Sequence, residues 1–393
     1  MDTFLDDNRE VTLRFESSNE RRYLVDVTQD LKSWEEHYLA PFKDPGEGIK
    51  VRQVGEYAPA SEFYRMAVLP FRYQSLDVSG DWFGDISMSR LPDGRTAFIY
   101  QNRDRRMLHY GECAENGSPP VVERVAGSTG AQNPVFWDTS GYTDLTLQIG
   151  PSGVPHVVGR DYTTNDIVLL RKPSGATVWD RRVIRSGLAS PYWAFPKFAI
   201  SPQGMLGVAY RGDDGSYFTH ALITAPDSWT NIKISDLSPH GAFETGLIFN
   251  NSGDAIIQAG GWFRRDAATG ETTPLYLSGQ VQTRRGSDGC LLTLDGGFDG
   301  TRIRRSTDGG VTWSENYAAR QNIGDSGAVS VDCDLQGRLS IFRPPSLYRQ
   351  LVPGGCWKRV TLRGGAIHSA IAEGRIQMVL IEYDREISLV TED

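Results

Sequence analysis

Three carboxylates, Asp85, Asp144 and Glu244, each stand nine residues before a glycine, at Gly94, Gly153 and Gly253. Gln280 holds the same place before Gly289. Paired carboxylates carry glycoside hydrolysis, one as acid and the other as base or nucleophile. Six or seven residues past such glycines come Arg160, Arg211 and Arg343, with Arg103 and Arg264 somewhat later in their loops. Aromatic side chains stand close to the acids, namely Trp82, Tyr142, Tyr192 and Trp193, and His240 lies nearby. Rings stack on the apolar faces of sugars, and a guanidinium grips a carboxylate in bidentate fashion. The chemistry implied is recognition of a carbohydrate, an acidic one if the arginines meet it. It requires a scaffold that brings every position of one phase to one end.

Plainer readings of the same residues are open at this point. Entry carboxylates bond backbone amides or hold a structural cation such as calcium, which is the only cofactor to be considered. Loop arginines pair with Asp161, Asp213, Asp214 or Asp266, and Trp82 and Trp193 fill a core between sheets. Only the shared phase raises the group above these readings.

That phase comes from a repeat. A strand, a tight glycine turn and a second strand recur at Gly94, Gly153, Gly204, Gly253, Gly289, Gly337 and Gly374, while long stretches of helical period are nearly absent. Such turns need positive φ, which glycine adopts at no steric cost. One hairpin cannot bury its apolar face, so four-stranded sheets arranged about an axis are the natural solution. The expectation is an all-β chain with a seven-bladed β-propeller, six or eight blades being the alternatives, and Tyr64 to Asp77 supplying the closing strand.

One stretch is more specific. Ser306-Thr-Asp308-Gly-Gly310-Val-Thr-Trp313 has the spacing S-x-D-x-G-x-x-W of the Asp-box. By this motif and the glycine turns the chain resembles the sialidase-like (BNR-repeat) propeller superfamily, which includes sialidases, polysaccharide lyases and carbohydrate-binding propellers. The resemblance covers about 320 residues as architecture and rests on one motif copy. It implies a turn between the third and fourth strands of a blade, structural in role, on the same end as the glycine turns. The site is therefore expected at the opposite end. Sialidases of this kind usually carry Phe/Tyr-Arg-Ile-Pro near the start of the propeller. Here LPFRYQ, residues 69–74, lacks the Ile-Pro, which speaks against sialidase activity.

Composition narrows the partners. Among 393 residues, 49 are acidic and 41 basic, for a net charge of −8, and the pI is near 5.4. That field repels phosphate backbones, so nucleic acid is not expected. No run approaches the roughly 20 apolar residues of a membrane helix, and the opening MDTFLDDNREVTLRF is acidic where a secretion leader is basic and then apolar. Cys113, Cys290, Cys333 and Cys356 form no C-x-x-C pair, so buried thiols are expected, with one disulfide if the protein is extracellular.

Residues 1–68 read as a small β-sandwich, distinct from the propeller at 69–393. The segment resembles modules appended to secreted bacterial proteins, through Tyr23, Val25, Thr28, Asp30, Leu31 and Trp34 and the later Phe63-Tyr64-Arg65. Those modules usually lie at the C-terminus, so its place here departs from the pattern. The resemblance implies a spacer or a mount on a larger assembly. The leading expectation is a glycan-recognising binding or adhesion module, extracellular or virion-borne, such as part of a phage tail or a receptor-binding protein. The alternatives are a glycoside hydrolase or polysaccharide lyase, with Asp85, Asp144 and Glu244 as its acids or with His240 or Tyr142 as base beside Arg211, and a purely structural scaffold.

Overall fold

The computed structural model describes residues 2–5, 10–14, 21–28, 35–41, 49–53, 63–77, 83–102, 107–114, 120–125, 145–161, 164–188, 196–236, 245–259, 261–275, 277, 281–286, 288–297, 300–318, 330–334, 336–343, 346–350, 357–361, 366–372, 375–381 and 387–392. Among these every regular element is a strand, and the chain is a β-propeller. Six four-stranded antiparallel sheets follow one another in the chain, and we number them as blades 1 to 6. They span residues 83–124, 146–185, 197–235, 245–275, 281–318 and 330–361.

The expectation of seven four-stranded blades is corrected. There are six. The seventh repeat, Ala366–Ala372, Arg375–Ile381 and Ile387–Glu392, is merged with N-terminal strands into one six-stranded sheet. The joint is the 15-residue strand Phe63–Asp77. Its first part pairs with Arg21–Thr28, and its later part, from Phe71 to Asp77, pairs with Ile387–Glu392. The boundary expected after residue 68 thus falls inside a strand. The first strand of each sheet lies against the first strand of the next, from Phe83–Arg90 round to Ala366–Ala372, which returns to Phe83–Arg90.

The burial of the strands explains their sequences. Second strands are covered on both faces by neighbouring blades, and they read as near-continuous apolar runs rather than alternating ones. Pro155–Asp161 and Ala255–Ala259 are buried throughout, whereas the outer strands Asp180–Arg185 and Thr272–Leu275 are half-buried or exposed. Apolar clusters fill the spaces between blades. Trp179 packs with Leu108, Leu145 and Val157 between blades 1 and 2, meeting Tyr110 edge to face at 5.3 Å. Ile256, Leu291, Leu292 and Ile341 join blades 4, 5 and 6, with Trp313 against them. Each such side chain contributes roughly 1.5–3 kcal/mol by leaving water.

The glycine turns behave as their chemistry requires. Gly94, Gly153, Gly204, Gly253, Gly289 and Gly337 all have positive φ, while Gly374 lies outside the described residues. The Ser306–Trp313 turn joins Gly300–Ser306 to Ser314–Ala318, the third and fourth strands of blade 5. Asp308 accepts hydrogen bonds from the Val311 and Thr312 amides at 3.1 and 2.9 Å and from Ser306 Oγ at 2.8 Å. Ser306 Oγ in turn accepts from the Gly310 amide, and Trp313 Nε1 donates to the Gly310 carbonyl at 3.1 Å. Gly310 sits at φ 92°.

Candidate functional site

Antiparallel pairing fixes which end each residue occupies. Arg160, Arg211 and Arg343 come at or next to the last residue of the second strand of blades 2, 3 and 6, away from the glycine turn. Their cross-strand partners are Ile167, Ser216 and Ser346, beside the connection to the third strand. Asp85 lies near the start of the first strand of blade 1, within an irregular stretch of pairing between Phe83 and Ile86. These four positions share the end opposite the turns. Trp82, Tyr142, Asp144, Tyr192, Trp193, His240 and Glu244 lie outside the described residues.

Arg264 is at the other end. It pairs with Ile256, close to the Gly253 turn, and its guanidinium holds Asp254 through Nε at 3.1 Å and Nη2 at 2.6 Å. The count of residues past Gly253 misplaced it because the second strand of blade 4 ends at Ala259, so Arg264 already runs back along the third.

Blades 2 and 3 show what surrounds the arginines. Arg160 is fully buried, with Nη2 donating to Asn165 Oδ1 at 3.1 Å. Asn165 takes positive φ in the tight connection. Next to it, Arg181 pairs with Asp161 at 2.9 Å and lies 3.9 Å from Asp166. This set is a packed ionic wall, and Arg160 belongs to the wall. Arg211 is only half-buried. It precedes a tight connection in which the Gly212 amide donates to the Gly215 carbonyl at 2.8 Å. A Cβ at Gly212 would stand 2.8 Å from the Tyr217 ring, so glycine leaves that ring its place. Asp214 accepts from Tyr217 Oη at 2.5 Å and from Lys233 Nζ at 3.1 Å. Lys233 also meets Asp236 at 2.6 Å. The Tyr217 hydrogen bond and then Lys233 hold the Asp214 carboxyl below its usual range.

Lys197 was not singled out from the sequence. It begins the first strand of blade 3, is half-buried, and pairs with Ala209, two residues before Arg211. Two cations therefore stand on adjacent strands at the end opposite the turns. The signal was its place at the start of the Lys197–Ile200 strand, hidden because the count fell on Phe195. The arrangement is suited to holding an anionic group from fixed β-strands.

The turn end is stitched from blade to blade. Gln203 Nε2 donates to the Asn251 carbonyl at 2.8 Å, and Asn250 Nδ2 donates to the Gly309 carbonyl at 3.0 Å. Arg285 bonds Asn251 across the same boundary. Lys172 and Trp179 of blade 2 both reach Glu123 of blade 1, at 2.5 and 3.2 Å. The Ser306–Trp313 turn is part of this girdle.

No family model matches the chain, and no curated protein matches it. Solved structures do. A Hadza microbial sialidase, Hz136, is similar at a TM-score of 0.50 and 10% identity, over 98% of this chain and 92% of that one. The β-propeller domain of the Trilobed protease from Pyrococcus furiosus is similar at 0.50 and 10% identity, over 81% of this chain and 94% of that one. At such identity the likeness is one of fold: this chain shares the β-propeller with a sialidase and with a domain of a protease.

Proposed function

We propose that the protein is a glycan-recognising propeller whose ligand, an acidic carbohydrate, enters at the end opposite the glycine turns. The observation that carries this reading is the register that sets Arg211 and Lys197 on adjacent strands at that end. Arg343 ends the second strand of blade 6 in the same phase, and Asp85 lies near the head of blade 1. Half-buried cations held by a β-scaffold bind a carboxylate at little cost in side-chain ordering. The fold is common to a sialidase and a protease domain, so the reading rests on these residues and not on the architecture. The N-terminal strands, sharing a sheet with the last repeat, serve as the mount on a larger assembly.

The test is an array of acidic and neutral glycans, run beside assays for new reducing ends and for unsaturated uronates. Wild type is expected to bind acidic glycans without turnover, and Arg211→Ala to lose on the order of tenfold or more in affinity, as for a charged group whose partner is removed. Binding indifferent to Arg211 and Lys197, or no glycan binding at all, overturns the reading. Turnover abolished by Asp85→Asn or Glu244→Gln would make the protein a glycosidase or lyase instead.

A further inference from the structure

At the turn end, blades 5 and 6 bring two thiols together. Cys290 follows the first hairpin turn of blade 5, and Cys333 ends the first strand of blade 6. Both are free and buried, at 3% and 0% exposure. Their sulfurs and an Asp288 oxygen lie within 4.8 Å of one another. The packing keeps room for them: a Cβ on Gly286 would stand 2.7 Å from Cys333 Cβ and 3.0 Å from Cys290 Sγ. Only glycine fits there.

We propose that Cys290 and Cys333 are a redox pair that closes into a disulfide between blades 5 and 6 by exchange with a low-molecular-weight disulfide. The surroundings favour one sulfur as nucleophile. The Arg305 guanidinium, bonded to Asp288, also lies beside the Cys290 thiol, and its Nε is buried without a hydrogen-bond partner. Held there, the guanidinium faces the charge that develops on the Cys290 sulfur during exchange. Cys333 Sγ donates to the Asp334 carbonyl at 3.5 Å, and a hydrogen bond with the neighbouring Cys290 thiol, then burial, hold the Cys333 thiol far above its ordinary range. Cys290 is then the attacking sulfur and Cys333 the resolving one.

The electrons balance through the small disulfide. The Cys290 thiolate attacks one of its sulfurs, forming a mixed disulfide and expelling a thiolate. Cys333 gives up its proton and attacks the Cys290 sulfur, expelling the second thiolate. Two protein S–H bonds become one S–S bond, and the small disulfide leaves as two thiols with two electrons and two protons. The same three ligating atoms invite a zinc-class cation. Asp288, however, is committed to Arg305 and to the Cys290 amide at 3.0 Å, and a cation there would face the guanidinium. Cys113 is the internal contrast: it has no second thiol beside it among the described residues, Cys356 lying outside them, and its own thiol is pushed up to about 12 by desolvation.

The full chain would be equilibrated at stepped ratios of oxidised to reduced glutathione, then unfolded in an alkylating agent, digested and weighed. A peptide pair linked through Cys290 and Cys333 is expected to appear as the buffer becomes oxidising and to vanish on return, with Cys113 alkylated throughout. The linked protein should melt several degrees higher than the reduced one, since the bond restricts the unfolded chain. Arg305→Gln should slow linking on the order of tenfold. Alkylation of both cysteines at every ratio, linkage of either to another cysteine, or one equivalent of bound zinc that blocks linking would overturn the proposal.

Discussion

Asn250, in the first hairpin of blade 4, donates through Nδ2 to the carbonyl of Gly309 in the aspartate turn of blade 5, at 3.0 Å. The same Nδ2 meets Asp254 Oδ2 at 2.9 Å, and Asn250 Oδ1 accepts from the Asp254 amide at 2.8 Å. One amide side chain thus closes its own turn and locks the next blade's turn to it. Asn250 is 2% exposed, so its removal leaves buried partners unsatisfied. Asn250→Ala is expected to lose roughly 1–3 kcal/mol of stability, read by chemical denaturation, with glycan affinity unchanged. An unchanged denaturation midpoint would show that the interlock adds nothing.

The aspartate of that turn carries an acid-sensitive share of stability. The Thr312 hydroxyl and amide, with Ser306 and the Val311 amide, hold the Asp308 carboxyl at about 2. Its folded value lies below its unfolded one. Its contribution is therefore complete above the ordinary carboxylate range near 3.8 and is lost as pH falls towards 2. The side chain is exposed and solvent screens the effect, so the gain is modest. Asp308→Asn should flatten the loss of stability between pH 4 and pH 2 relative to wild type, measured by urea melts at stepped pH. Parallel acid limbs in the two proteins would count against the assignment.

A second pH effect comes from the core. His156 is buried at the start of the second strand of blade 2, its Nδ1 against the Val154 carbonyl at 2.8 Å. Desolvation outweighs that bond and lowers the imidazole to about 4. In the unfolded chain it takes a proton near 6.5, so between 6.5 and 4 the unfolded state binds more protons and stability falls as pH falls. The depression corresponds to roughly 3 kcal/mol across that window. His156→Gln should remove this slope, whatever it does to stability at pH 7. A slope retained in the variant would place its origin elsewhere.

The propeller was legible because its turns carry their own signature. Six of the seven glycines singled out by pattern sit in described turns and have positive φ, and the second strands show apolar runs that only a sheet covered on both faces would tolerate. The blade count was less legible. Phe63–Asp77 serves two partners along its length, and no local pattern tells a strand which sheet it will join. Of the site, the phase of Arg160, Arg211 and Arg343 could be read from the distance to a glycine. Burial could not be read. Arg160 and Arg211 stand alike in the sequence, yet one is enclosed by Asn165 and the Asp161–Arg181 pair while the other is half-open.

The two ends of the propeller can be separated by one comparison of arginines. Arg264 at the turn end bonds Asp254, which is 5% exposed and also accepts from the Ala267 amide at 2.9 Å and from Asn250. Removing the cation leaves a nearly buried carboxylate with fewer donors, a change that costs several kcal/mol when the charge is fully buried and roughly 1–3 kcal/mol when it keeps other hydrogen bonds. Arg211 ends its strand half-buried at the opposite end. Arg264→Gln should therefore lower the melting temperature while leaving acidic-glycan affinity as in wild type. Arg211→Ala should do the reverse, and Lys197→Ala should follow Arg211→Ala. Measured together by thermal melts and binding isotherms, these variants assign stability to one end and recognition to the other. If Arg264→Gln abolished binding in a protein that still melts cooperatively, the working face would be the turn end, where Arg264 and the Ser306–Trp313 turn lie.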